Sequence, residues 1–260
     1  MPIVDASGCP INVEIEGPVK APVLILSNSL GTNLHMWDLQ AKTLSKKFRV
    51  VRYDQRGHGK SGAPKEPYTI ERLGKDVLAI LDKLEINKAH FCGLSMGGTT
   101  GMWVARFAPE RINKLILSNT GARIGDPVLW NTRIRTVLEK GMGVIVEGVL
   151  ERWFSKKFRT SATETVATVR NMLLTTPPHG YAGCSAAIRD ADQRWDIGSI
   201  RLPTLVIAGK LDPATTVKDA ELIVSRIKKS KFVKLDAAHL SNLEQAKKFT
   251  DTLTKFLAKG

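Results

Sequence analysis

One serine stands between two glycines in Gly93-Leu94-Ser95-Met96-Gly97-Gly98, after the apolar run Phe91-Cys92 and before a stretch patterned like a helix. A serine hydroxyl is a weak nucleophile until a base takes its proton. Presenting it at the tip of a sharp strand-to-helix turn requires neighbours with almost no side chain, and Gly93 and Gly97 meet that demand. The turn also puts the backbone N–H of Met96 at a helix N-terminus, where it can donate to a developing oxyanion. Such a constellation performs acyl transfer. The same spacing would also suit a glycine-rich turn whose serine merely caps the helix, so a base and a group to orient it have to be found.

The chain has five histidines. His239, in Asp236-Ala237-Ala238-His239-Leu240-Ser241, follows the strand-like run 231–236, and Asp212, in Gly209-Lys210-Leu211-Asp212-Pro213, follows the run 204–208. Both positions lie past the C-terminal end of a strand, the edge on which open α/β sheets build their sites. Nucleophile, acid and base in the order Ser95, Asp212, His239 match one known arrangement of the serine triad. Asp219 and Asp236 compete with Asp212, but neither lies as squarely in a loop after a strand. His239 would otherwise be an ordinary loop histidine.

Positioning these residues requires a particular scaffold. Runs rich in β-branched and apolar residues predict strands over 23–29, 49–54, 90–94, 114–119, 204–208 and 231–236, and amphipathic stretches predict helices over 37–46, 70–84, 96–108, 216–227 and 243–258. In 70–84, Leu73, Val77, Ile80, Leu81 and Leu84 recur at helical spacing and form one apolar face. Strand followed by helix, repeated, implies a mainly parallel sheet covered on both faces. Residues 3–5 and 11–16, joined through Ser7-Gly8, read as an antiparallel hairpin at the sheet edge. The alternation stops between about 125 and 198, where several helix-like stretches surround Trp130, Trp153, Phe154 and Phe158, with Pro177-Pro178 as a breaker. The expected division is a core of 1–124 plus 199–260 and a helical cap of 125–198.

Length and composition narrow the function classes. With 260 residues, 43% of them hydrophobic, the chain can bury a large core and is not disordered. No apolar run approaches the roughly 20 residues of a membrane span. Cys9, Cys92 and Cys184 are too few and too scattered for a disulfide framework or a metal knuckle, and the scattered histidines offer no zinc cluster. Met1–Asp5 carries no basic-then-apolar export pattern, so a reduced, cytoplasmic setting is expected. The formal net charge is +14. It divides as +5 over 1–122, +3 over 123–200 and +6 over 201–260. That even spread favours a solvated basic surface over a nucleic-acid site.

The chain resembles the α/β-hydrolases over its whole length. Arg52-Tyr53-Asp54-Gln55-Arg56-Gly57-His58-Gly59-Lys60-Ser61 is similar to that family's Asp-x-Arg-Gly-x-Gly-x-Ser segment, in which His58 belongs to a structural loop and stands outside the triad. Within the family the closer resemblance is to the 3-oxoadipate enol-lactonases. It rests on Leu26-Ser27-Asn28-Ser29-Leu30-Gly31-Thr32, Leu34-His35-Met36-Trp37, the serine motif, and Ala237-Ala238-His239-Leu240-Ser241-Asn242-Leu243-Glu244-Gln245. The segments 119–125 and Leu150-Glu151-Arg152-Trp153-Phe154 also look like that subfamily, whereas Gly121 stands where an alanine is expected and the surface is unusually rich in lysine.

The resemblance implies an internal ester opened by Ser95, with Leu30 and Met96 N–H groups as the oxyanion hole, His239 as base and Asp212 as its orienting acid. No metal or organic cofactor is implied. The substrate would be a small anionic lactone, so the cap should supply a cation: Arg123, Arg133 and Arg135 lie early in the insertion, with Trp130 as an apolar wall. An arginine fork suits a carboxylate better than a lysine does. The same fold and triad also serve carboxylesterases and C–C bond hydrolases, since specificity lives in the cap. A dehalogenase would need a carboxylate where Ser95 stands. A ligand receptor that hardly turns over and a nucleic-acid binder are the readings from other classes.

Overall fold

The structure is a computed structural model and describes residues 2–258. Eight strands form one sheet: β1 (Ile3–Asp5), β2 (Pro10–Glu16), β3 (Val23–Ser27), β4 (Arg49–Tyr53), β5 (Ala89–Leu94), β6 (Ile112–Ser118), β7 (Thr204–Gly209) and β8 (Ser230–Leu235). Their order across the sheet is β1-β2-β4-β3-β5-β6-β7-β8. The hairpin β1–β2 is antiparallel and joins β4 antiparallel, while every other pairing is parallel.

The parallel strands are apolar on both faces. On one face Leu24, Leu26, Cys92, Leu94, Ile116, Leu205 and Ile207 join one core, and on the other Ile25, Phe91, Leu115, Leu117, Val206 and Ala208 join a second. Alternate side chains of a strand point to opposite faces, so an unbroken apolar run means helices on both sides. Each such Leu, Ile, Val or Phe side chain contributes about 1.5–3 kcal/mol by leaving water. The covering helices include α1 (Asp38–Leu44), α2 (Ile70–Lys83), α3 (Met96–Phe107), α9 (Val217–Arg226) and α11 (Ala246–Leu257). α2 starts where the Thr69 side chain accepts the Arg72 N–H, and it buries Leu73, Val77, Ile80 and Leu81 as its periodicity requires.

Between β6 and β7 lie α4 (Pro127–Lys140), α5 (Val146–Trp153), α6 (Lys156–Ser161), α7 (Thr163–Thr175) and α8 (Pro178–Asp190). Asp126 caps α4 and accepts the Leu129 N–H, and Pro178 opens α8 at a position whose missing N–H costs nothing. Trp130, Trp153, Phe154 and Tyr181 join the core that also holds Leu24 and Leu94, while α4 packs against α8 and α5 against α7.

Two of the differences from the sequence expectation have a visible cause. The strand expected over 23–29 stops at Ser27, because Asn28 turns out of the sheet: its side chain donates to Tyr53 O and accepts from the Trp37 indole. The helix expected over 243–258 is two helices, α10 (Ser241–Glu244) and α11, broken at Gln245, whose φ of −124° and ψ of 45° are not helical.

Candidate active site

The link from β5 to α3 is a single residue, Ser95, held at φ 58° and ψ −117°. A non-glycine residue there carries on the order of 1–3 kcal/mol of strain, which the surroundings must impose. They do so through the backbone. Ser95 N–H donates to Ser118 O at 3.0 Å, Gly97 N–H donates to Asn28 O at 3.0 Å, and Ser95 O accepts from Thr120 Oγ1 at 2.7 Å. The flanking glycines are there for space: a Cβ on Gly93 would come within 2.1 Å of Gly97 O, and one on Gly97 within 2.3 Å of Ser27 O.

His239 and Asp212 meet in a buried pair, with His239 Nδ1 2.8 Å from Asp212 Oδ2. The carboxylate is saturated. Asp212 Oδ1 accepts the N–H groups of Ala214 (2.8 Å) and Thr215 (3.0 Å), while Oδ2 also accepts from Thr215 Oγ1 (2.7 Å) and Asn119 Nδ2 (3.0 Å). Burial alone would raise the Asp212 carboxyl, but His239 opposite it and the hydrogen bonds from His239, Asn119 and Thr215 outweigh burial and lower it from 3.8 to about 2. Asp219 instead caps α9 by pairing with Thr216, and Asp236 pairs with Lys210 at the surface.

The Asp212 shift has a consequence for stability. A carboxyl held below its unfolded value stabilises the native state above that value, and the contribution is lost as pH falls through the folded value. Asp212→Asn should therefore be less stable than the parent near neutral pH, with the difference shrinking as pH falls from about 4 to about 2. Denaturant melts across that range measure it. A difference that stays constant would show that Asp212 is not the titrating group.

Ser95 and His239 open into one cavity of about 200 Å³, also lined by Ser29, Leu30, Trp130, Arg133, Arg152, Trp153 and Tyr181. Its two cations are Arg133 and Arg152, and none of its lining residues is acidic. The Arg133 guanidinium lies 5.1 Å from the Trp130 ring centre, and the indole N–H is anchored on Ile124 O at 2.7 Å. Burial first, then the neighbouring Arg133, lowers the Arg152 guanidinium's hold on its proton. Burial raises the Tyr181 hydroxyl, against the pull of both arginines. Arg123 is not among the lining residues and sits 3.7 Å from Asp192, while Arg135 is exposed on α4.

The Leu30 loop is fixed by its neighbours. Ser29 N–H is taken by Met36 Sδ at 3.3 Å, and Gly31 N–H by His58 Nε2 at 2.8 Å. Met96 heads α3, where the first N–H groups have no acceptor within the helix. His58 is buried outside the cavity; its Nδ1 lies 3.2 Å from Arg56 O, so that nitrogen carries the proton and Nε2 accepts. Burial lowers it to about 4, despite the opposing effects of Arg56 O and Asp54, and it stays neutral.

Sequence reasoning gave no site role to Asn119, Thr215, Arg152 or Trp153, although Trp153 was expected as an apolar anchor of the cap and Asn119, Arg152 and Trp153 lie in segments that carry the family resemblance. Asn119, at φ 43° just past β6, donates to Asp212 and to Ala238 O and accepts from Ser241 Oγ at 2.5 Å, so it ties two site loops together. The Trp153 ring stacks on His239 with centres 6.2 Å apart. Besides that resemblance the available signal was position: Asn119 follows a strand at the sheet edge that holds the site, and Trp153 falls on the buried face of α5 with Val149 and Leu150. Among the described residues no group of three or more His, Cys, Asp or Glu side chains could hold a metal ion. No described helix is long and apolar enough to cross a membrane.

An elbow serine, a histidine paired with a buried aspartate and a parallel sheet beneath them define a class of protein. The family model described as the alpha/beta hydrolase fold matches residues 22–246, and the chain belongs to that family. It is 44% identical over 239 residues to 3-oxoadipate enol-lactonase 2 of Acinetobacter baylyi, covering 92% of this chain and 90% of that protein. The crystal structure of the enol-lactonase from Burkholderia xenovorans LB400 superimposes with a TM-score of 0.98 at 43% identity, covering 99% of this chain and all of the other. A thermophilic esterase from Thermogutta terrifontis, solved with malate bound, matches with a TM-score of 0.92 at 28% identity, covering 99% of this chain and 96% of that one.

Proposed function

We propose that this chain hydrolyses 3-oxoadipate enol-lactone to 3-oxoadipate, a step of the β-ketoadipate route of aromatic catabolism, through an acyl-enzyme on Ser95. Near-full-length similarity to named enol-lactonases supports the substrate. The observation that carries the reading is the cavity, which joins Ser95 and His239 to two guanidinium groups with no acidic residue in its lining. An electropositive pocket of this kind suits a small ester that also bears a free carboxylate. Residues 125–198 act as the cap that supplies those cations, and a cytoplasmic setting suits three free, buried cysteines.

His239 takes the Ser95 proton as the hydroxyl oxygen attacks the lactone carbonyl, and the N–H groups of Leu30 and Met96 hold the oxyanion. Asp212 keeps the proton of the imidazole on Nδ1 and stabilises the imidazolium that forms. Collapse of the tetrahedral adduct breaks the ring C–O bond. The departing enolate takes the proton from His239 and tautomerises to the ketone, which pulls the ring opening forward. Water then loses a proton to His239, attacks the acyl carbon and releases the second carboxylate, and the proton returns to Ser95. Every step uses groups already in this chain.

The test separates the lactone from a neutral ester. Arg133→Met and Arg152→Met should each lower kcat/KM for the lactone, and the double variant, which leaves the carboxylate buried with neither cation, by a factor equivalent to about 2–5 kcal/mol. Hydrolysis of nitrophenyl acetate, which has no carboxylate, should change far less, and Arg123→Met should change neither substrate. Equal effects on both substrates, or none, would refute the clamp. A parent enzyme that prefers the neutral ester would reduce the function to that of a general carboxylesterase.

A further inference from the structure

Of three consecutive residues of the histidine loop, His239 and Leu240 touch the cap directly, and Ala238 reaches it through Glu244. Leu240 N–H donates to Trp153 O at 3.0 Å, and the His239 ring lies beside the Trp153 ring, centres 6.2 Å apart and planes 25° from parallel. Ala238 N–H donates to Glu244 Oε2 at 3.0 Å, and Glu244 passes the connection on: its Oε2 accepts the Ser155 N–H at 3.2 Å and its Oε1 accepts the Ser155 hydroxyl. Ser155 Oγ in turn caps α6 by accepting the Phe158 N–H at 3.2 Å. The core side contributes Asn119, which donates to Ala238 O at 3.2 Å, and Asp212, which holds one ring nitrogen.

Asp212 alone leaves the imidazole free to swing about the bond it makes. The direction in which the other nitrogen points depends on where the loop backbone lies, and Glu244 holds that backbone by the residue immediately before His239. Its carboxylate is half-buried, and the three groups donating to it are all neutral. Such a group gains little as an ion pair. What it does is fasten one loop to one cap segment. The break at Gln245 fits this role, since it ends α10 directly after Glu244.

We propose that Glu244 is a positioning residue for His239, acting by tying the histidine loop to residues 153–155 of the cap. It makes the catalytic base depend on the seating of the cap, whatever acyl substrate the cavity accepts. Misplacing a reacting group by about 1 Å can lower a rate on the order of a hundredfold.

Glu244→Ala should therefore lower kcat about tenfold to a hundredfold on the lactone and on nitrophenyl acetate alike, with KM for the lactone within about twofold of the parent. Labelling of Ser95 by a fluorophosphonate should slow by a similar factor, since it needs the same base. Glu244→Gln keeps one acceptor for Ala238 N–H and should recover most of the rate. Ser155→Ala cuts the hydroxyl arm and, with it, the cap of α6, but keeps the Ser155 N–H arm, and should fall between Glu244→Ala and the parent. Should Glu244→Ala fail to fold, Ser155→Ala still decides the matter by its kcat on the neutral ester. The proposal is overturned if folded Glu244→Ala, or Ser155→Ala in its place, shows a parental kcat and labelling rate, or if the loss falls on KM for the lactone alone. Loss on the neutral ester with an intact KM cannot come from a failed carboxylate clamp, so this outcome is separate from that of the arginine variants.

Discussion

Ser95→Ala is expected to abolish hydrolysis of every ester substrate, with turnover falling on the order of a millionfold, as when other serine triads lose a member. The fold should survive. Alanine enters the same φ 58° turn with the same Cβ, so the strain is unchanged and the hydrogen bonds from Ser95 N–H to Ser118 O and from Thr120 to Ser95 O remain. Only the hydroxyl leaves. Circular dichroism and a thermal melt close to the parent's, combined with loss of turnover on both lactone and nitrophenyl acetate, are the expected pair of results. In the parent, a fluorophosphonate should label Ser95. Label on another residue, or substantial turnover by the variant, would remove Ser95 from the nucleophile's role.

His239→Ala should be nearly as damaging, because without it nothing in the cavity lining can take the Ser95 proton. Asp212 would then be left a buried carboxylate without its main partner, so this variant should also melt at a lower temperature. His58→Ala is the informative contrast. Its loss deprives Gly31 N–H of an acceptor and loosens the loop that presents Leu30, and removing one oxyanion donor altogether is worth about a hundred- to a thousandfold. Since His58→Ala only loosens that donor, it should lower kcat by less than this and leave measurable turnover. If folded His58→Ala were dead and His239→Ala active, the two histidines would have been given each other's roles.

The sequence exposed some parts of this molecule and hid others. Alternating strand and helix patterns reveal the parallel sheet because each central strand is apolar on both faces. The elbow is legible because two close backbone approaches at Gly93 and Gly97 allow no side chain. Asp212 and His239 could be picked out because both follow strands on one edge. What could not be read was the outer ring of contacts. Asn119 acts on Asp212 across 93 positions of sequence and Ser155 on Glu244 across 89, and no local pattern encodes either pairing. Arg123 and Arg152 make the same point from opposite directions. Both are cap-region arginines, but the turn before α4 sends one toward Asp192, while the last turn of α5 brings the other to the cavity.

The placement of α4 to α8 between β6 and β7 bears on how such an enzyme changes over generations. These strands are neighbours, Ser118 pairing with Ile207, so the inserted segment leaves and re-enters the sheet side by side. Lengthening a loop whose ends are already together adds only about 0.6 kcal/mol for each doubling. A lineage could therefore trade one cap for another, and with it one substrate for another, without disturbing the order of the strands. The graft would not be wholly free. A transplanted cap that lacked a serine opposite Glu244 and a flat ring beside His239 would inherit an intact scaffold with a poorly aimed base.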